Sequence, residues 1–204
     1  MDEQWVKWIM ELESIAQIGL TFTKGEYDKE RYERLRELAA EMMAHISDVP
    51  VKTIMGLFGD EIGYQTPKLV TRAVIFKDDK LLMVKEADGL WSLPGGWCDV
   101  NTSIRDNTIK ETKEEAGLDV LPKRIIAIQD RNKHNWPLFA FSVSVVFVEC
   151  EVTGGRFEPN IETVESRYFG EDELPPLHIE RNSLDQIQTC FEAHHASHWE
   201  TVFD

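Results

Sequence analysis

Three glutamates, Glu111, Glu114 and Glu115, fall within five residues of one another. On an α-helix each residue advances about 100°, which sets Glu114 about 60° to one side of Glu111 and Glu115 about 40° to the other. One face then carries three carboxylates whose mutual repulsion would weaken an isolated helix, and a divalent cation among them removes that cost. Oxygen-only ligation selects Mg²⁺ or Mn²⁺ over zinc, and such an ion can bridge acidic side chains to a phosphate-bearing substrate. Solvated helix faces share this composition, so the preceding loop matters. Gly95-Gly96 follows Trp-Ser-Leu-Pro and permits a tight turn whose carbonyl can face a metal, while Gly117 ends the helix at a fixed distance beyond.

The elements that must position these groups can be read from periodicity. Trp5, Trp8, Ile9, Leu12, Ile15 and Ala16 recur at helical spacing, as do Tyr32, Leu35, Leu38, Ala39, Met42 and Ile46; Pro50 separates a short third segment, Val51 to Phe58. Residues 1–66 therefore read as a small all-helical domain that packs on the rest of the chain or on a second subunit. From Pro67 the pattern turns to strands. Leu69 to Phe76 and Leu81 to Glu86 flank Lys77-Asp78-Asp79-Lys80 as a β-hairpin, with further strands at Arg124 to Gln129 and Leu138 to Val152. A helix over Ser103 to Ala116 carries the glutamates, opened by Asn101, Thr102 and Ser103 and closed by Gly117; a last helix runs from Ser183 into a His-rich tail. The expected class is α+β, with a second domain over 67–204.

Composition narrows the partners. Among 204 residues, 37 Asp and Glu against 22 Lys and Arg give a net charge of −15, which argues against nonspecific tracking of long nucleic acid and against an anionic membrane surface. That charge is uneven: residues 1–66 carry −6, 67–157 carry 0, and 158–204 carry −9. Three cysteines without a CxxC pair indicate neither a disulfide framework nor a thiolate zinc site. The start, Met1-Asp2-Glu3-Gln4, lacks the basic region of a signal peptide, and the apolar stretch around Leu138 to Val148 is too short and too polar to span a bilayer. A soluble protein of the reducing cytoplasm is the expectation.

From Gly96 onward the chain resembles the Nudix hydrolases, whose box reads G-x5-E-x7-R-E-U-x-E-E-x-G-U, with U a bulky aliphatic residue. Gly96 matches the first glycine, Glu111, Glu114 and Glu115 the helix glutamates, and Gly117-Leu118 the end. Thr102 replaces the early Glu, Lys110 the Arg, and Thr112 stands at the first U. In the family the early Glu and the Arg orient the catalytic glutamates; a Thr and Lys pair can hydrogen bond without forming a bidentate ion pair, so that support should be weaker. The helical start, Gly63 to Lys68, Gly-Gly-Trp-Cys-Asp-Val, Asp130 to His134 and Glu173 to Leu177 resemble one branch, with a helical N-terminal domain, that cleaves nucleoside diphosphates linked to another group. It includes CDP-choline pyrophosphatases and proteins labelled ADP-ribose pyrophosphatases. The resemblance implies an α/β/α sandwich with a mixed sheet from about Pro67, and a homodimer.

It also implies a mechanism. Glu111, Glu114 and Glu115, with the Gly95 carbonyl, would hold Mg²⁺, Mn²⁺ being the other candidate, for attack of water on a shielded diphosphate. The base is either a box glutamate or a later acid, Glu162 or Glu165. Arg131, Lys133 and His134, in a loop between strands, and Arg72 and Lys85 are candidate substrate contacts. The substrate is a small nucleoside diphosphate conjugate of the ADP-ribose or CDP-choline type; a 5′-end RNA pyrophosphohydrolase and a nucleotide sensor without turnover stay open. His194, His195 and His198 could ligate a metal, with 194 and 198 one turn apart, although a polar terminal helix explains them too. Cys98 is either a reactive thiol or packed, and Trp5 and Trp8 form either an internal packing face or a dimer contact.

Overall fold

The computed structural model describes residues 3–47, 50–58 and 63–204; the other positions of the expected helical domain, with Met1 and Asp2 of the signal-peptide argument, lie outside the described residues. By compactness the chain divides into two units, one of 1–67 with 138–142 and one of 68–137 with 143–204. In the first, helices α1 (Glu3–Phe22), α2 (Glu26–Ser47) and α3 (Val51–Phe58) follow the periodic apolar residues. Val6, Ile9, Ala39, Ala40, Met43 and Ile54 form their core, and Leu138 and Ala140 pack against it. The apolar run that was expected to begin a strand at Leu138 thus splits: its first residues complete the helical core, and the strand begins at Val143.

The second unit holds two sheets. Strand β1 (Lys68–Val74) lies parallel to β6 (Val143–Gly155), which runs antiparallel to β5 (Leu118–Asp130), and a short β8 (Val202–Phe203) continues the order β1-β6-β5-β8. The other sheet orders β2 (Phe76–Lys77), β3 (Lys80–Glu86) and β4 (Trp91–Ser92), with β7 (Thr163–Phe169) on β3. The expected hairpin is therefore only half realised. Ile75 separates β1 from β2, so the first half of the apolar segment joins the mixed sheet and only Phe76 and Lys77 pair with β3. Both halves are β-branched or aromatic, and a strand that changes sheet carries the same composition as one that does not. In β5, Pro122 cannot donate to the ladder, and the register with β6 shifts there.

Helix α4 (Ile104–Ala116) packs Ile104, Ile109 and Ala116 on a core of Ala73, Ile75, Leu82, Val84, Val120, Val146 and Val148. Its ends are set locally. Ser103 accepts from the Asp106 amide at the N-cap, and Gly117 in the left-handed region donates its N–H to the Lys113 carbonyl. After β5 comes the single turn α5 (Arg131–His134), and α6 (Leu184–His195) begins with a capping box between Ser183 and Gln186. Among the described residues no helix is long and apolar enough to cross a membrane.

Candidate active site

The glycine loop is laid along β1. Thr71 donates to the Gly96 carbonyl at 3.0 Å and Ala73 to the Pro94 carbonyl at 2.8 Å, while the Cys98 amide donates to the Leu69 carbonyl at 2.9 Å. Such close passage leaves no room for side chains. A Cβ on Gly95, whose φ is +146°, would overlap the Thr71 carbonyl, and one on Gly96 would overlap the Glu111 carboxylate. Buried Asn107 fastens helix to strand and loop, donating to Thr71 Oγ1 at 2.8 Å and to the Gly96 carbonyl at 3.4 Å.

Glu115 turns towards this loop. Its Oε2 accepts from the Gly95 N–H at 2.8 Å, and with 6% exposure its carboxyl is pushed up to about 7 by burial, against the pull of Arg72 and of the Gly95 amide. Arg72, expected at the substrate, is buried beneath the loop: Nη1 donates to the Leu93 and Gly95 carbonyls, and burial brings its pKa down to about 10. The geometry makes it a brace for the loop and a counter-charge to Glu115. Gly95 accordingly presents its N–H to a carboxylate and its carbonyl to a guanidinium.

Glu111 and Glu114 turn instead to Lys110, whose Nζ lies 3.4 Å from Glu111 and 3.8 Å from Glu114. Burial raises the Glu111 pKa, partly offset by Lys110, and both Glu114 and Glu162 repel its charge. The residue that anchors Lys110 is not Thr102. Asp99 does so, at 3.1 Å, and its hydrogen bond is the leading cause that raises the Lys110 pKa. The described hydrogen bonds of Thr102 are backbone ones, its N–H to the Asp99 carbonyl and its carbonyl from Cys98 Sγ. A carboxylate three residues earlier than the box position thus faces the box cation.

Two further residues escaped the sequence reading. Asn160 donates to the Glu114 carbonyl at 2.9 Å and buried Thr163 to the Glu115 carbonyl at 2.6 Å, so the 160–163 loop is fastened to the end of the glutamate helix. Glu162 is carried on that loop. Glu165 sits on β7 directly opposite Lys85, and the two pair at 3.6 Å. Arg131 is buried, donating to Asn132 and to the Pro137 carbonyl, and His134 meets Asp204, which also feels the charge of Lys133. Strand register locates this group. Trp97 bridges Val70, which faces Val145, which faces Gln129, one residue before Asp130 and α5. At about 4.8 Å between strands, the group stands at the same level as the glycine loop and about 14 Å across the sheet.

Comparison with known proteins agrees with this architecture. Residues 66–189 match the NUDIX domain, and residues 3–58 match Nudix_N, described as a UDP-X-like, N-terminal oligomerisation domain. The YjhB protein of Bacillus subtilis, named as a candidate ADP-ribose pyrophosphatase, is 41% identical over 202 residues, 98% of this chain and 97% of that protein. A crystal structure of a UDP-X diphosphatase is 30% identical and covers 98% of both chains with a TM-score of 0.64. An ADP-ribose pyrophosphatase of Streptococcus suis is 55% identical, also with a TM-score of 0.64, and spans 68% of this chain and all of its own. A box-bearing helix braced on a glycine loop, a mixed sheet beneath it and matches over nearly the whole length make this chain a member of the Nudix hydrolase family, with the N-terminal helical domain of its UDP-X-like branch.

Proposed function

We propose that this Nudix pyrophosphohydrolase cleaves the diphosphate of a small nucleoside diphosphate conjugate, of the ADP-ribose or CDP-choline type, in a Mg²⁺-dependent reaction that gives a nucleoside monophosphate and a phosphorylated second product. The observation that carries the reading is the cluster of Glu111, Glu114 and Glu115 beside the Gly95-Gly96 loop, two of them buried with raised proton affinity. Buried Glu111 and Glu115 and exposed Glu114 offer only oxygen donors, and Glu111 repels both of the others, which suits Mg²⁺ or Mn²⁺, so the metal fits the residues present. Glu111, Glu114 and Glu115 would hold it, with the second lone pair of the Gly95 carbonyl. When bound, the ion neutralises diphosphate charge and makes water more acidic.

The protein's own groups do the rest. Arg72 holds the Gly95 carbonyl in place and Lys110, anchored by Asp99, keeps Glu111 and Glu114 on one side of the helix. Of the two later acids, Glu162 is the better candidate to take the proton of the attacking water, because its loop is fastened to the glutamate helix and its charge reaches Glu111. Glu165 is paired with Lys85, which leaves its carboxylate less free to act as a base and makes the pair a candidate contact for the substrate's polar groups. Lys133 and His134, about 14 Å across the sheet from the glycine loop, suit the far end of an extended conjugate, while buried Arg131 braces their turn through Asn132 and the Pro137 carbonyl. Exposed Trp5, Trp8, Ile15 and Phe22 on α1, in a segment matching an oligomerisation domain, support a homodimer, and three free thiols at Cys98, Cys150 and Cys190 suit a reducing cytoplasm.

The test is a panel of ADP-ribose, CDP-choline and UDP-linked compounds with Mg²⁺ or Mn²⁺, the products being separated by chromatography. Nucleoside monophosphate released from one of them, and none after chelation, is the expected result. Saturable binding of a conjugate in excess Mg²⁺ without any product would favour a nucleotide sensor and overturn the reading.

A further inference from the structure

Away from the box, the turn between β2 and β3 faces the end of α6. Asp79 there, in the left-handed region at φ +56°, puts Oδ1 3.0 Å from His194 Nε2, and His195 completes a set whose three ligand atoms lie within 4.8 Å of one another. Among the described residues this is the one such group of His, Cys, Asp or Glu. Phe76 stacks flat on the His194 ring, with centroids 3.9 Å apart and planes 7° apart, and is itself held edge-on by Phe191. The ring is thereby fixed on its face, with its Nε2 turned to Asp79 Oδ1. Two imidazoles and a carboxylate are the donors of a zinc-type site with an open fourth position, and a tetrahedron with bonds of about 2.0 Å has edges of about 3.3 Å, close to the Asp79–His194 separation. The last turn of a helix, with its unpaired carbonyls, also favours a cation. His198, one turn beyond His194 by sequence, is not in the group, because α6 ends at His195 and the chain leaves the helix there.

We propose that Asp79, His194 and His195 bind a borderline divalent cation, Zn²⁺ or a similar imidazole-seeking ion, as a clip between the β2–β3 turn and the C-terminus of α6. Imidazole donors separate this site chemically from the all-oxygen box, which prefers Mg²⁺. It is also remote from the box end of β3: Asp79 is six residues before Lys85, about 20 Å along an extended strand. Its occupancy therefore bears on stability and leaves hydrolysis alone.

The full chain, without an affinity tag and stripped with chelator, is titrated with Co²⁺ in excess Mg²⁺, which keeps the box filled, and unfolding is followed with Zn²⁺ added under the same conditions. One equivalent of Co²⁺ should bind with the visible absorption of a tetrahedral site, and Zn²⁺ should raise the unfolding midpoint. Asp79→Asn, which tolerates the left-handed backbone, and His195→Gln should each weaken Co²⁺ binding at least about tenfold and abolish the Zn²⁺ shift. Turnover in Mg²⁺ should stay at the parent level in both. Absence of saturable Co²⁺ binding to the parent chain, or equal binding by the parent and both variants, would overturn the proposal whatever the substrate of the box.

Discussion

Replacing Glu115 by Gln should make the metal-free protein more stable, by an amount that opens above pH 4.5 and is complete at about pH 7. The carboxyl is pushed from the ordinary 4.5 to about 7 by burial, a value that already includes the attraction of Arg72 and the Gly95 hydrogen bond. Its native state therefore holds a proton that its unfolded state has released between pH 4.5 and 7. Below pH 4.5 the two states are protonated alike and the parent carries no penalty. As the pH rises to 7 the buried side chain must ionise on folding, and the parent loses stability relative to the variant. At about 1.4 kcal/mol per tenfold change in proton affinity, the difference reaches about 3 kcal/mol and stays constant above pH 7. Gln keeps an oxygen for the Gly95 amide, so that bond need not be lost. The assay is urea denaturation of both proteins in chelator at pH 4.5 and at pH 8.5, with Mg²⁺-dependent hydrolysis measured beside it. We expect equal stability at the acid pH, a gain for the variant at the alkaline one, and collapse of hydrolysis. A variant less stable than the parent at pH 8.5, or a difference independent of pH, would refute the account of Glu115 as a carboxylate held in a site built for a cation.

Other outcomes follow from the same geometry. Asp99→Asn should lower turnover and metal affinity by about 10- to 100-fold while the fold persists, since it frees the ammonium that gathers Glu111 and Glu114; Thr102→Glu should bring no many-fold gain, because Lys110 is already engaged, and steady-state kinetics with Mg²⁺ titration checks both. The two glycines should part company. Gly96→Ala meets only the movable end of Glu111 and should lose activity with little loss of stability, whereas Gly95→Ala meets backbone and should cost about 1–3 kcal/mol, as read by thermal denaturation.

Local chemistry was legible in the sequence, and long-range placement was not. The three glutamates, the Ser103 cap and the Gly117 stop lie within fifteen residues and obey helical spacing, so each could be found by counting. Arg72 was visible as a cation on a strand, but that it lies beneath Gly95 depends on β1 passing under a loop 23 residues later. Asn160 and Thr163 bond to helix carbonyls 46 and 48 residues earlier, and nothing in their types announces it. Asp99 was overlooked for a different reason: the box assigns an acid to position 102, whereas reaching Lys110 requires only that the loop bring some carboxylate within range. The histidine tail was conspicuous, yet its partner Asp79 stands 115 residues away from His194.

The segment Leu138–Ser142, which completes the helical core, imposes an order on biosynthesis. Val6 and Ile9 are made about 130 residues before the side chains of Leu138 and Ala140 that close over their core, with β1 to β5 made in between. The N-terminal helices must therefore wait with part of their apolar surface uncovered, and contacts spanning so much chain are slow to form. A fragment ending at residue 67 would reproduce that waiting state permanently. The helical domain precedes the Nudix domain in sequence, yet its core cannot close until that domain's first five strands have been made.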